Sequence, residues 1–560
     1  MNAAWVCLFG MVVFGLGYRF YSRFLARVVF ALREDEPVPS KEQNDGIDYV
    51  PTKKAVLFGH HYASIAGAAP IIGPAIAVVW GWLPAVVWIV FGSVLMGAVH
   101  DFSVLVLSIR HGGKSVGQIS AEVLGPRTRP LFLLLVYVLV MVVIAVFADA
   151  IAKLFIKFPG SVLPVNFQII VAVAIGWLAY QKKLPLLWPS LIALVSLYAM
   201  VFVGERVPLS LASWVGSENE GLAWVVLLLV YSFVASVIPV WMLLQPRDYI
   251  NSHQLFVGLA AMILGIFVAR PIIVAPAIAT PPADAPQMLP FLFVTIACGA
   301  ISGFHGLVSS GTTSKQLEKA TDAAAVGYGG MLGEGLVALL ATLAVSAGLA
   351  DWASHYHSFA AAAQGGVGAF VQGASTFVSA LGVPGDSAQV LVAVMVISFA
   401  ATSLDTGVRI QRYILGELGE IYGIGFLRQR YVAGVLAVVP PLLLYVAGKE
   451  RALWPLFGAT NQLLAGLSLV VVTVWLKKSQ RPWLYTGVPM VAVVLVAATS
   501  MTGNLLSYLA SGNYLLFTVG AFVLGLQAWV VFEGYRAVRA PTLPVVGASE
   551  RELDTSQQAP

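Results

Sequence analysis

Charge is scarce in this chain. Only 11% of its 560 residues are Asp, Glu, Lys or Arg, against 59% hydrophobic, and the mean hydropathy is +0.86. That excludes a set of soluble domains, because too little polar surface is left to cover them. Cysteine is nearly absent. Cys7 and Cys298 each stand alone in an apolar run, which argues against a disulfide framework and against a metal cluster. Alternating ten-residue strands are also lacking, so a membrane β-barrel is not expected. The formal charge of +5 is spread over short loops, a pattern that signals membrane topology rather than nucleic-acid binding. The first run, Met1 to Phe20, has no basic start and no small-residue cleavage site. It reads as a retained span rather than a signal peptide.

What the chain does have is a long series of apolar runs near the roughly 20 residues that a helix needs to cross hydrocarbon. They predict an all-α polytopic membrane protein with about fifteen transmembrane helices. The expected spans are 3–22, 57–79, 83–109, 130–153, 165–181, 185–203, 222–245, 254–274, 288–308, 327–349, 387–408, 431–447, 453–476, 484–501 and 514–533. Basic residues collect in alternate loops, such as Arg23, Arg27, Lys53 and Lys54, then Arg110, Lys114, Arg127 and Arg129, then Lys182 and Lys183. By the positive-inside rule the N-terminus is outside and the C-terminus cytoplasmic. Lys153, Lys157, Arg206 and the pair Lys449 and Arg451 are mild exceptions. The segment 364–381 breaks the alternation if it spans, and is expected to be re-entrant or interfacial. The polar tail, 541–560, is expected to be disordered.

One stretch organises the rest: Lys54 to Trp82, KAVLFGHHYASIAGAAPIIGPAIAVVWGW. It is long enough to span, yet it carries His60, His61 and Ser64, then Gly67, Pro70, Gly73 and Pro74. Proline removes an amide donor, and freed backbone groups in hydrocarbon must face protein or a cavity. The functional reading is a discontinuous helix lining a solute site; the plain one is a kinked helix whose glycines permit close packing. Five spans later, LAWVVLLLVYSFVASVIPVWMLLQ carries Ser232, Ser236 and Pro239. Two interrupted helices in corresponding positions of opposite sense predict an inverted five-plus-five repeat of the LeuT-like kind. Its repeats are expected at 55–205 and 222–412, after an N-terminal extra helix (1–30) and a cytoplasmic loop (31–54), and before C-terminal extra helices (429–535).

The solute is expected near His60, His61, Ser64, Gly67, Ser232, Ser236 and Pro239, its carboxylate held by amides at a half-helix N-terminus. The coupling ion, H+ or Na+, is assigned to hydroxyls of the run LPFLFVTIACGAISGFHGLVSSGTTSKQLEKA: Ser302, Ser309, Ser310, Thr312 and Thr313, with His305, and with His100 and Asp101 of the third span. Oxygen donors suit a hard monovalent cation, and histidine exchanges protons near neutral pH. Against this, serines and threonines often only bond back to their own helix. Glu334 is a further intramembrane ionisable group, and Asp405 is expected to pair with Arg409 one turn on. An enzyme is not expected. GYGGMLGEG, 327–335, is glycine-rich but lacks the preceding strand of a dinucleotide site, and no nucleophile elbow is present.

FGHHYASIAGAAPIIGPAIAVVWGW, VFGSVLMGAVHDF, LLQPRDYI, the run from Leu289, TSLDTGVRIQRYILGE and WPLFGATNQLLAG together resemble the carbon starvation protein A (CstA) family. The resemblance extends from about residue 50 to about 480. It implies a bacterial inner-membrane transporter made during carbon starvation, importing peptides or, in related members, pyruvate with protons. It also implies kinship with the amino-acid, polyamine and organocation superfamily. The expected partners are a small-molecule solute and the lipid bilayer, with no cofactor and no nucleic acid; no feature speaks to oligomeric state. A membrane sensor of nutrient state and a passive channel are the alternative readings.

Overall fold

The computed structural model describes residues 1–46, 48–182, 187–239, 241–447 and 453–539. Lys183, the loop with Lys449 and Arg451, and the tail 541–560 lie outside the described residues. The protein is an all-α multi-pass membrane protein. Its described residues form no strand, only two isolated bridges, Asn2 with Ile272 and Thr52 with Leu317. Among the described residues, fourteen helices are long and apolar enough to cross a membrane, or up to 15 if one bent pair counts as a span.

The chain begins with α1 (Ala3–Val29). The bent pair is α2 (Lys54–Ile65) and α3 (Ala69–Trp80), which meet at 51°. Next come α4 (Trp82–Arg110) and α5 (Thr128–Lys157). α5 is apolar all round, and a helix without a polar face belongs inside a bundle; accordingly most of it is buried. α6 (Val162–Lys182) and α7 (Leu187–Arg206) form a hairpin, followed by α8 (Glu220–Val237) and α9 (Leu244–Ala269).

The second interruption is not where Pro239 suggested. α8 runs unbroken through Ser232 and Ser236 and ends at Ile238, whose extended backbone (φ −80°, ψ 158°) is the conformation a following proline imposes. Here proline terminates a helix instead of kinking one. Arg409 Nη2 takes over the carbonyls left at this end, donating to Ala235 O at 2.8 Å and Ile238 O at 2.9 Å. α9 therefore starts ten residues before the expected 254–274 span.

The second broken helix comes later, as α10 (Met288–Ile296) and α11 (Gly303–Gly311). Between them Ala297 leaves helical geometry (φ 6°, ψ −79°), and Ser302 is extended (φ −136°, ψ 127°). Then follow α12 (Ala320–Gly348), α13 (Phe359–Ser379), α14 (Gly385–Ile421), α15 (Arg430–Ala447), α16 (Leu453–Lys478), α17 (Leu484–Ala510) and α18 (Tyr514–Arg539). α13 covers most of the segment expected to be re-entrant; it packs on α3, α9 and α14 and is not among the candidate spans.

Two groups of helices position the site. α5, α8, α14 and α15 all pack on one another, and the broken pairs α2/α3 and α10/α11 lie side by side with α4 and α12 against them. A Cβ on Gly73 of α3 would collide with the backbone carbonyl of Thr295 in α10. Only glycine lets two backbones approach that closely.

Candidate functional site

The first interruption lies between Ile65 and Ala69. α2 stops at Ala66, which leaves helical geometry (ψ 64°), and Pro70 sits in the first turn of α3, where its missing amide costs nothing. Gly67 stands where a Cβ would be 2.5 Å from Ser403 Oγ and 3.2 Å from the Phe147 ring. The break is thus pressed onto α14 and α5. Ser403 is 1% exposed, and its hydroxyl has no partner among the described residues. Of the opening amides of α3, Pro70 has none and those of Ile71 and Ile72 donate to Ala68 O at 3.1 and 3.0 Å, which leaves the Ala69 amide without an acceptor among the described residues.

The second interruption is met from other helices. Ser93 Oγ of α4 donates to Gly299 O at 3.0 Å. Asn461 Oδ1 of α16 accepts Phe304 N at 3.0 Å and Ser302 Oγ at 3.2 Å, which caps α11 from outside. Gln462 Nε2 donates to Phe293 O at 2.6 Å. These are the groups a broken membrane helix must satisfy through its neighbours.

Beside this second break runs a chain of ionisable side chains. His100 Nδ1 lies 2.7 Å from Asp101 Oδ1, and Asp101 Oδ2 lies 2.8 Å from His305 Nδ1. His305 Nε2 lies 2.6 Å from Glu334 Oε2, an ion-pair contact whose angle is off that of a hydrogen bond. All four side chains are 0% exposed. Three spans contribute, α4, α11 and α12, so the contacts appear only when the bundle forms. Cys298, His305 and Glu334 bring ligand atoms within 4.8 Å of one another, a grouping compatible with a metal ion. Their other contacts favour a different use: Cys298 Sγ bonds to Ser302 Oγ and Asn461 Nδ2, and His305 is flanked by two carboxylates.

The remaining residues singled out in the sequence divide. His61 Nδ1 pairs with Thr313 Oγ1 at 2.8 Å, tying α2 to the turn after α11, while its Nε2 has no partner. His60 lies 3.8 Å from Asp248 of α9. Ser64 Oγ, Ser236 Oγ and Thr312 Oγ1 bond back to carbonyls of their own helices, as does Ser310 Oγ, which also accepts Val116 N. Ser309 Oγ is buried without a partner. Ser232 belongs to another cluster, donating to Asp405 Oδ1 at 2.8 Å. Asp405 does not pair with Arg409. It pairs with Arg247 of α9 through Oδ2, to which Tyr231 OH also donates at 2.9 Å. Arg409 is drawn instead to the end of α8, and Pro239 lies just beyond that end. Sequence reasoning missed Asn461, Ser93 and Ser403; a polar residue inside an apolar run was their only signal.

The family model described as "Carbon starvation protein CstA" matches residues 2–358 and 346–500. "Peptide transporter CstA" of Mycobacterium tuberculosis is 35% identical over 586 residues, covering 92% of this chain and 77% of that protein. "Peptide transporter CstA" of Escherichia coli is 33% identical over 553 residues (86% and 78%), and "Pyruvate/proton symporter BtsT" of Escherichia coli is 31% identical over 595 residues (90% and 82%). Among solved structures, a manganese transporter of Eremococcus coleocola is similar at a TM-score of 0.48 and 13% identity, over 88% of this chain and 99% of that chain. Matched along most of its length by the family model and by these relatives, the chain belongs to the carbon starvation protein CstA family.

Proposed function

We propose that this protein is a proton-coupled symporter that imports a short peptide or a pyruvate-like carboxylate across the bacterial cytoplasmic membrane. The observation that carries the reading is the buried chain His100, Asp101, His305 and Glu334 beside a broken helix. Burying such groups in a membrane is costly, and as a brace an apolar set of the same volume would serve at least as well. A histidine between two carboxylates is placed to accept a proton and release it when the helices around it part. The relative named as a pyruvate/proton symporter supports protons as the coupling ion.

The solute's carboxylate is assigned to the first interruption, on the Ala69 amide that opens α3 and the free Ser403 hydroxyl. A helix N-terminus favours an anion, and the buried Ser403 hydroxyl offers it a hydrogen bond that no protein group takes up. His61 lies on the adjoining half-helix.

The helix order supports a five-plus-five arrangement divided differently from 55–205 and 222–412. Its first unit is α2/α3, α4, α5, α8 and α9; its second is α10/α11, α12, α14, α15 and α16. The hairpin α6–α7 is an insertion, α13 a cover, and α1, α17 and α18 are additions. Each unit then opens with a broken helix. Corresponding members match in length, α8 and α15 having 18 residues each and α9 and α16 having 26 each. With the N-terminus outside, the two broken helices run in opposite senses, as an inverted repeat requires.

The test is uptake of labelled pyruvate and alanyl dipeptides into proteoliposomes under an imposed pH gradient. Glu334→Gln and His305→Gln should abolish accumulation while leaving solute exchange across the membrane, and replacing sodium should change nothing. Accumulation that persists after the pH gradient is collapsed would refute the reading.

A further inference from the structure

Outside the site, a cavity of about 690 Å³ lies among α1, α2, α9 and α12. Its level along the bundle can be read from contacts. Lys54 reaches Asp322 at 3.3 Å at the start of α12, Gly329 sits beside Tyr18 and Phe58, and Leu339 meets Gly10 of α1. The slot therefore runs lengthwise, with Lys54 at one end and Met11 and Leu336 at the other. From Ala325 to Leu336 it follows α12 for roughly 17 Å at 1.5 Å per residue. That is close to half of the roughly 30 Å hydrocarbon thickness of a bilayer. Its walls are apolar apart from the Lys54 ammonium and the Tyr18 hydroxyl, and Tyr18 and Phe256 are 43% and 44% exposed, so it opens away from the bundle. At the Lys54 end the chain is net basic: Lys53 precedes Lys54, and Arg19 and Arg23 follow Tyr18 toward the same end, all exposed, against the one Asp322 carboxylate that pairs with Lys54.

We propose that this slot holds one acyl chain of an anionic phospholipid, with the phosphate on Lys54. The length fits a chain lying in a single leaflet, and the cations at one end fit a charged headgroup. The half-helix α2 forms one wall through Lys54 and Phe58, and it joins its continuation only through the bent, non-helical 66–68 link. An acyl chain there fills the space behind the element that must move if the solute site opens, so lipid composition sets how readily α2 shifts.

The experiment is native mass spectrometry of the full-length protein released from membranes of phosphatidylglycerol or phosphatidylcholine. Wild type should retain one phosphatidylglycerol, favoured over phosphatidylcholine by about fivefold, the factor a single basic residue supplies near a charged surface. Gly15 lines the slot, and a Cβ there meets nothing within 4 Å. Gly15→Leu should therefore fill the slot and lose the bound lipid while the melting temperature holds. Lys54→Gln should keep a lipid but lose the preference for the anionic one, which tests the proposal even if Gly15→Leu fails to fold. Equal retention in wild type and Gly15→Leu, equal retention of the two lipids by wild type, or displacement of the lipid by pyruvate or an alanyl dipeptide would each overturn it.

Discussion

The two interruptions solve the same problem in opposite ways. At the second, Ser93, Asn461 and Gln462 reach in from α4 and α16 and meet the backbone groups that the break releases. At the first, the nearest hydroxyl, Ser403 Oγ, is buried and bonded to nothing. A buried polar group left unmet costs about 1–3 kcal/mol, and a solute bound at the first break would recover that cost for Ser403. On the proposed reading, the difference separates a break closed by its own protein, beside which the charged chain is held, from a break at which a solute would supply the missing partner.

Four measurements sharpen or break this contrast, taken from the largest expected effect to the smallest. Asp101→Leu removes the carboxylate between His100 and His305, and stripping one partner from a buried charged set costs about 3–5 kcal/mol. A large fall in melting temperature with complete loss of proton-driven uptake is expected; a variant that melts like wild type would show that the chain is not held as a unit. Asn461→Leu strands the Phe304 amide and the Ser302 hydroxyl at the second break, at about 1–3 kcal/mol for each group. Its thermal melt should fall well below that of Ser403→Ala.

Ser403→Ala should leave stability within about 0.5 kcal/mol, since no bond is lost. It should raise the solute concentration for half-maximal uptake by about five- to tenfold, the worth of one hydrogen bond. If stability falls and affinity does not, the first break is structural and the contrast fails. The smallest effect is expected far from both breaks. Asp284 accepts Phe359 N at 2.9 Å and Ala360 N at 3.0 Å at the start of α13, and these amides hold its carboxyl below the usual range. That stabilisation is present above the carboxyl's unfolded value and is lost as pH falls through its lower folded value. Because the group is exposed, Asp284→Ala should cost no more than about 1 kcal/mol near neutral pH. The difference from wild type in pH-dependent melts should vanish in acid.

Much of the architecture was legible. Apolar runs of spanning length announce membrane helices, because hydrocarbon accepts little else. Gly67 and Pro70 announced the first break for a local reason: neither residue supports a continuous helix. The second break was harder to see because ACGAISG contains no proline, while Pro239, the louder signal, lies where α8 ends anyway. Asp405 and Arg409, one turn apart on α14, looked like a pair, yet each finds its partners on another helix, Arg247 for Asp405 and the last carbonyls of α8 for Arg409.

The sequence by itself determined that this chain lies in a membrane as a bundle of helices, and that one of them breaks at Gly67. Those features depend on local chemistry, namely apolar length and backbone freedom. Which charges meet was decided only by the tertiary structure. His100 and Asp101 are neighbours in the chain, but His305 and Glu334 come from two later spans, and a buried ion pair depends on where helices cross. Low-dielectric surroundings make such a contact strong once formed, and nothing in the order of residues encodes its geometry.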